Sequence, residues 1–98
     1  MRVRWTREAA DDLENVLAYI AERNPAAAAS VAARIDNTIT AIKQYPRASR
    51  RDAETGAFEA AVPQLPLLVI YTITDEMIEI IAVFHTSRDP RSKRRPNR

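Results

Sequence analysis

The sequence contains no cysteine, one histidine and one glycine among its 98 residues. Without cysteine the chain cannot form a disulfide framework, a thiolate zinc site or a cysteine nucleophile. One histidine provides too few nitrogen ligands for a typical transition-metal centre, so we expect neither a metal nor another cofactor. The sequence also has no Gly-rich phosphate loop, no HExxH pair and no G-x-S-x-G turn, and therefore gives no support to the common motif-bearing enzyme classes.

Long hydrophobic runs are also missing. No apolar stretch approaches the roughly 20 residues of a membrane-spanning helix. Residues Met1–Trp5 lead into an acidic, helix-like stretch and not into the apolar core of a signal peptide, so we expect a cytoplasmic protein without membrane contact. Hydrophobic residues make up 46% of the chain and charged residues 29%, which is ordinary for a globular protein of one domain.

The net charge of +2 conceals an uneven distribution. A mildly acidic body precedes a basic C-terminal segment, residues 88–98, in which Asp89 is the only acid. Its basic residues are Arg88, Arg91, Lys93, Arg94, Arg95 and Arg98. Such a segment suits an anionic partner, although composition alone favours a solubilising end. We predict one domain over residues 1–91 and a basic, flexible tail over residues 92–98.

The first half of the chain predicts a strand and two helices. Arg2–Trp5 alternates basic and apolar residues, as short half-buried strands do. Thr6 can cap a first helix, which should end near Arg23 because Asn24-Pro25 cannot continue it. The same dipeptide favours the start of a second helix, which ends at Tyr45-Pro46. The apolar stripes are Ala9, Leu13, Val16, Leu17 and Ile20 in the first helix, and Ala28, Val31, Ile35, Ile39 and Ile42 in the second.

The second half predicts a polar loop over residues 46–56 and then three strands. The strand candidates are Phe58–Val62, Leu67–Ile73 and Met77–Phe84, which are rich in β-branched residues. Thr74-Asp75-Glu76 forms a tight turn between the last two. The expected fold is α+β: an N-terminal strand, an antiparallel helical hairpin and a three-stranded antiparallel meander, with the helices on one sheet face. Because the last strand is apolar at nearly every position, we expect both of its faces to be covered.

Few side chains indicate chemistry. His85 follows the last long strand, where its imidazole could transfer protons near neutral pH or could hold the strand end by hydrogen bonds. Chemistry alone favours the structural role. Arg88 could bind a phosphate or a carboxylate through its planar guanidinium group. Asp11, Asp12 and Glu14 have the pattern of a solvated helix face, and no pair of carboxylates is indicated.

Three stretches carry a family resemblance. The first is Arg4-Trp5-Thr6 with Ala9, Asp12-Leu13 and Tyr19-Ile20-Ala21, running into Asn24-Pro25-Ala26-Ala27-Ala28. The second, Val62–Tyr71, is close to the pattern VPxxPYxxxY, and the third, Ile80–Arg88, to IxVxHxxR. Together, in this order, they resemble the ParE branch of the RelE/ParE toxin superfamily, from about Val3 to Arg91.

The resemblance implies a fold, a function and partners. Members of the superfamily have two helices against a small antiparallel sheet. They are toxins of bacterial type II toxin–antitoxin pairs, so a cognate, ParD-like antitoxin is implied, bound in a hetero-oligomer. ParE-type toxins are described as poisons of DNA gyrase, with DNA possibly bound. RelE-type relatives are ribosome-dependent mRNA endonucleases that use Arg, Lys, Tyr or His side chains on the sheet.

The sequence departs from the family pattern at three positions. Phe58 stands where relatives commonly carry arginine, Leu67 replaces an aromatic residue, and Ser49-Arg50 replaces Gly-Arg. An RNA-cleaving site needs proton transfer and charge stabilisation together, and only His85 and Arg88 remain for it. We therefore expect a gyrase inhibitor that acts by binding, without an active site of its own. The alternatives are an mRNA endonuclease using those two residues, and an inactive toxin-fold protein that only binds its antitoxin.

The expected binding residues form two sets. A disordered antitoxin tail can fold into a groove between the helices and the sheet edge. For antitoxin binding we expect Leu13, Leu17, Tyr19 and Arg34. For the interaction with the target we expect His85, Arg88, Arg91, Lys93, Arg94 and Arg95.

Overall fold

Two helices lie on one face of a five-stranded sheet in the computed structural model of the protein, which describes residues 1–90. The elements are β1 (Arg2–Trp5), α1 (Arg7–Arg23), α2 (Pro25–Gln44), β2 (Arg50–Arg51), β3 (Phe58–Ala61), β4 (Leu67–Thr74) and β5 (Met77–His85). The α+β class and the predicted order of helices and strands are confirmed. The predicted tail, residues 92–98, lies outside the described residues, as does Arg91.

Local capping sets the helix boundaries. The Thr6 hydroxyl accepts a hydrogen bond from the Ala9 N–H at 3.1 Å, which begins α1. Asn24 serves both helices: its own N–H donates to the Ile20 carbonyl at 2.8 Å, and its side chain accepts from the Ala27 N–H at 3.1 Å. One residue therefore ends α1 and begins α2, with Pro25 at the first helical position.

The strand order is β1-β5-β4-β3-β2, and the sheet is mixed. β1 pairs with β5 in parallel, whereas all the other neighbours are antiparallel. The prediction of an uninterrupted polar loop over residues 46–56 is wrong at one point, because Arg50 and Arg51 form β2 against Glu59 and Phe58. This short strand depends on a partner that is distant in the chain, so no local pattern indicates it.

The main core lies between the helices and the covered face of the sheet. Tyr71, Ile78 and Ile80 are fully buried there. The opposite face carries the smaller apolar cluster of Ala57, Leu68, Ile70 and Ala82. As predicted, buried residues lie on both faces of β5: Ile78 and Ile80 face the helices, and Ala82 belongs to the smaller cluster on the opposite face. Both helices pack on one side of the sheet, where α1 lies against β5. In residues 1–90, neither helix combines the length and apolarity that a membrane span requires.

Candidate protein-interaction site

A groove of about 470 Å³ opens between α1 and the C-terminal end of β5. Its floor is apolar and its rim is polar, as is typical of sites that receive an apolar group from a partner. The floor consists of Val16, Ile20, Val31, Leu65, Leu67 and Val83. The rim includes Asp12, Asn15, Tyr19, His85, Arg88 and Asp89. We call this cavity the first groove.

The first groove exists because β1 is shorter than its partner. β1 pairs only with residues 77–80 of β5, while β5 continues to His85. Beyond that point α1 replaces the missing strand. The Asp12 carboxylate accepts a hydrogen bond from the Val83 N–H at 3.0 Å, on the edge of β5 that β1 no longer covers. Around this contact, the first groove leaves space between the helix and the sheet.

On the rim, Tyr19 is in contact with two arginines. The Arg23 guanidinium carbon lies 4.0 Å from the centre of its ring, and that of Arg88 lies 3.7 Å away. Arg88 also donates to the Tyr19 hydroxyl, and Arg23 donates to the Tyr19 carbonyl at 3.1 Å. These cation–π contacts hold two positive charges at the mouth of an apolar cavity.

His85 marks the point where the chain leaves the sheet. Its Nδ1 lies 3.3 Å from the Ser87 hydroxyl oxygen. Its carbonyl accepts from the Arg88 N–H at 3.1 Å and from the Asp89 N–H at 2.9 Å, so a tight turn directs the chain across the mouth of the first groove. His85 is half-buried. Within residues 1–90, no group of three or more His, Asp or Glu side chains is placed to hold a metal ion.

The predicted site residues fall into three groups in the structure. Tyr19, His85 and Arg88 meet at the first groove. Leu13 and Leu17 pack against the main core and do not line it. Arg34 does not line the first groove; it donates to the side-chain oxygen of Gln64 at 2.9 Å and to the Pro63 carbonyl at 3.4 Å. Of the predicted target contacts, Arg91, Lys93, Arg94 and Arg95 lie outside the described residues.

Asp12 is the residue whose role the sequence pattern concealed. We predicted a solvated carboxylate, whereas Asp12 is half-buried and accepts the Val83 N–H. The sequence does contain one indication that Asp12 is partly buried: it lies one helical turn before Val16, on the border of the apolar stripe. Phe58, the departure from the family pattern, is buried on the covered face and stacks on Tyr71 with 5.2 Å between ring centres. The aromatic residue at position 58 therefore packs in the main core.

Comparison with known proteins identifies the family of the chain. The family model described as "ParE toxin of type II toxin-antitoxin system, parDE" matches residues 3–90. The chain belongs to the ParE toxin family. The protein named "Putative toxin Y4kP" of Sinorhizobium fredii is 34% identical over 84 residues, which cover 86% of this toxin and 86% of that relative. "Toxin RelE2" of Caulobacter vibrioides is 29% identical over 87 residues, covering 89% of this toxin and 97% of the relative.

The fold also matches a solved toxin–antitoxin structure. The chain aligns with a structure titled "Chromosomal ParDE TA system from P. aeruginosa" at a TM-score of 0.75 and 20% identity. The alignment covers 85% of this toxin and 92% of that chain. As a member of the ParE toxin family, the protein is a toxin of a type II toxin–antitoxin system, and an antitoxin is its partner.

Proposed function

We propose that a ParD-like antitoxin neutralises this toxin by inserting an amphipathic segment into the first groove. The observation that carries the proposal is the apolar floor beneath a charged rim, next to the edge of β5 where Asp12 accepts the Val83 N–H. A disordered tail that folds on binding can bury apolar side chains in such a groove while its polar face remains in water.

The rim defines the chemistry of that segment. Arg23 and Arg88 present two guanidinium groups around Tyr19, so an acidic side chain of the partner is favoured at this end of the groove. Leu65 and Val16 offer the apolar contact beside it. An acidic residue near an aliphatic anchor is therefore the expected antitoxin pattern.

A matched pair of leucine truncations tests the placement. Both leucines pack against the main core, but only Leu65 also lines the first groove, whereas Leu13 belongs to the predicted antitoxin set. We expect Leu65→Ala to weaken binding of the co-expressed antitoxin about tenfold or more, as truncation of an interface anchor does. We expect Leu13→Ala to lower the free energy of unfolding by about 2–3 kcal/mol and to change antitoxin affinity little. Isothermal titration and urea unfolding measure the two effects; the opposite pattern would assign the interface to the Leu13 and Leu17 face.

We further propose that the toxin acts on DNA gyrase by binding, and stalls the enzyme on cleaved DNA. The sheet face away from the helices supports binding over RNA cleavage, because its centre is apolar and buried at Leu68, Ile70 and Ala82. The charged side chains beside it are engaged: Arg4 pairs with Glu79, and the Arg50 guanidinium lies 4.0 Å from the Glu59 carboxylate. The basic segment from Arg88 onward supplies positive charge for an acidic enzyme surface or its DNA.

Plasmid supercoiling by purified gyrase tests this target. Increasing amounts of toxin should accumulate linear, gyrase-linked DNA, and prior addition of antitoxin should prevent it. Normal supercoiling at large toxin excess would exclude gyrase as the target. Translation-coupled mRNA cleavage that depends on His85 would then support the endonuclease, and absence of any growth defect on expression would support an inactive toxin fold.

A further inference from the structure

A basic segment, residues 43–51, runs from the end of α2 to β2 and contributes no residue to the first groove. Residues 43–51 contain four basic side chains and no acidic one, whereas residues 52–87 contain six acidic side chains and no lysine or arginine. Lys43, Arg47, Arg50 and Arg51 are all exposed. Among the described residues, Lys43 and Arg47 form no ion pair, so their charges face solvent without neutralisation.

Tyr45 lies in the middle of this basic segment and is 68% exposed. The other two tyrosines are used differently: Tyr71 is buried in the core, and Tyr19 is enclosed by two arginines. Within residues 1–90, the Tyr45 ring has no aromatic or cationic stacking partner. Such exposure of a large aromatic side chain among cations is typical of a surface that stacks on a planar ligand.

The backbone around Tyr45 is held in place from the core. The buried Tyr71 hydroxyl donates to the Pro46 carbonyl at 2.6 Å, and the Ala48 N–H donates to the Tyr45 carbonyl at 3.1 Å. Tyr45 and Arg50 also line a second groove, of about 450 Å³, between α2 and the edge of β3. Because the backbone of this segment is already held, binding orders side chains and not the main chain.

We propose that Tyr45 and the basic segment 43–51 bind single-stranded nucleic acid. An unpaired base stacks on the Tyr45 ring, and the phosphates on either side contact Lys43 and Arg47. A single strand fits better than a duplex, because the bases of a duplex are already stacked on one another. A single strand also fits better than an acidic peptide, because the carboxylates of such a peptide would pair with the cations but would not stack on the Tyr45 ring. The inference requires neither gyrase nor the ribosome.

Fluorescence anisotropy of the full-length toxin with labelled oligothymidylate and oligouridylate tests the proposal. Stacking contributes about 5- to 150-fold per base, so Tyr45→Ala should weaken binding within that range, while Tyr45→Phe should retain the affinity. Arg47→Ala should reduce the slope of log affinity against log salt by about 0.7, the value for one phosphate contact on a single strand. Arg7→Ala, which removes an exposed cation from α1, is the matched control and should leave the slope unchanged. The two oligonucleotides distinguish DNA from RNA.

The basic C-terminal residues also attract polyanions, so the contact must be mapped. Ultraviolet cross-linking to an iodouracil-substituted strand, followed by mass spectrometry, should place the adduct on Tyr45. Unchanged affinity of Tyr45→Ala, with thermal unfolding showing an intact fold, would overturn the proposal. So would adducts confined to residues 91–98, or a polyglutamate peptide that binds with the same dependence on Tyr45.

Discussion

At the scale of single residues, one carboxylate connects the first helix to the edge of the sheet. Asp12 accepts the Val83 N–H where β1 no longer covers β5, and so occupies the position that a neighbouring strand would use. Without this carboxylate, the N–H would lose its partner in a partly buried place. Asp12→Ala should therefore lower the free energy of unfolding by about 1–2 kcal/mol. Urea unfolding measures this; Asp12→Asn keeps an acceptor and should cost less, and Asp11→Ala, on the exposed face, should have no effect.

Tyr71 provides a second prediction at this scale. Burial raises the pKa of its phenol above the ordinary value of 10.0, and the hydrogen bond with Ser49 only partly offsets this rise. Above about pH 10 the unfolded chain loses the Tyr71 proton while the folded chain keeps it, so the free energy of unfolding falls as the pH rises. Stability measured by urea unfolding between about pH 8 and pH 11 should fall less steeply in Tyr71→Phe than in the natural chain. Equal slopes would show that this phenol does not contribute to the alkaline loss of stability.

At the scale of elements, the turn between β4 and β5 is under local strain. Asp75 and Glu76 join paired residues Thr74 and Met77, and both have positive φ, 47° and 64°. Two-residue hairpin turns of this kind favour Asn-Gly, because a side chain is unfavourable at positive φ. Glu76→Gly should therefore raise the free energy of unfolding by about 0.5–1 kcal/mol. Glu76→Ala removes the same charge but keeps a Cβ, and should give no such gain. Thermal unfolding of the two variants separates backbone from charge.

Elements with local signals could be predicted, and elements without them could not. Thr6 and Asn24 cap their helices through neighbours three residues away, so the helix boundaries follow from nearby sequence. β2 pairs two residues with Glu59 and Phe58, and the parallel pairing of β1 joins Val3 to Ile78. These strand pairings depend on the tertiary arrangement of the whole sheet, and no short stretch of sequence predicts them. The extra residue Ile81, which opposes no partner in β4, is likewise a product of sheet geometry.

At the scale of the whole molecule, the candidate site also depends on contacts between distant residues that no short stretch of sequence predicts. Tyr19, His85 and Arg88 were each identifiable as candidates, but only the fold brings residues from α1 and from the end of β5 to one groove. The exposure of the Tyr45 ring could not be predicted from the sequence either, because Tyr45-Pro46 indicates only that the second helix ends there. Residue type predicts chemistry, whereas the meeting of distant residues requires tertiary structure.

The positions of the two grooves determine how the toxin can be controlled. They have no lining residue in common, and β4 separates β5, at the first groove, from β3, at the second. An antitoxin segment seated in the first groove should therefore leave Tyr45 and Arg47 accessible to a nucleic acid strand. We expect the purified toxin–antitoxin complex to bind oligothymidylate with the same Tyr45 dependence as the free toxin. Anisotropy of the complex, compared with antitoxin alone, measures this. Complete loss of oligonucleotide binding on addition of antitoxin would show that the antitoxin reaches across α2, and that neutralisation acts on both surfaces at once.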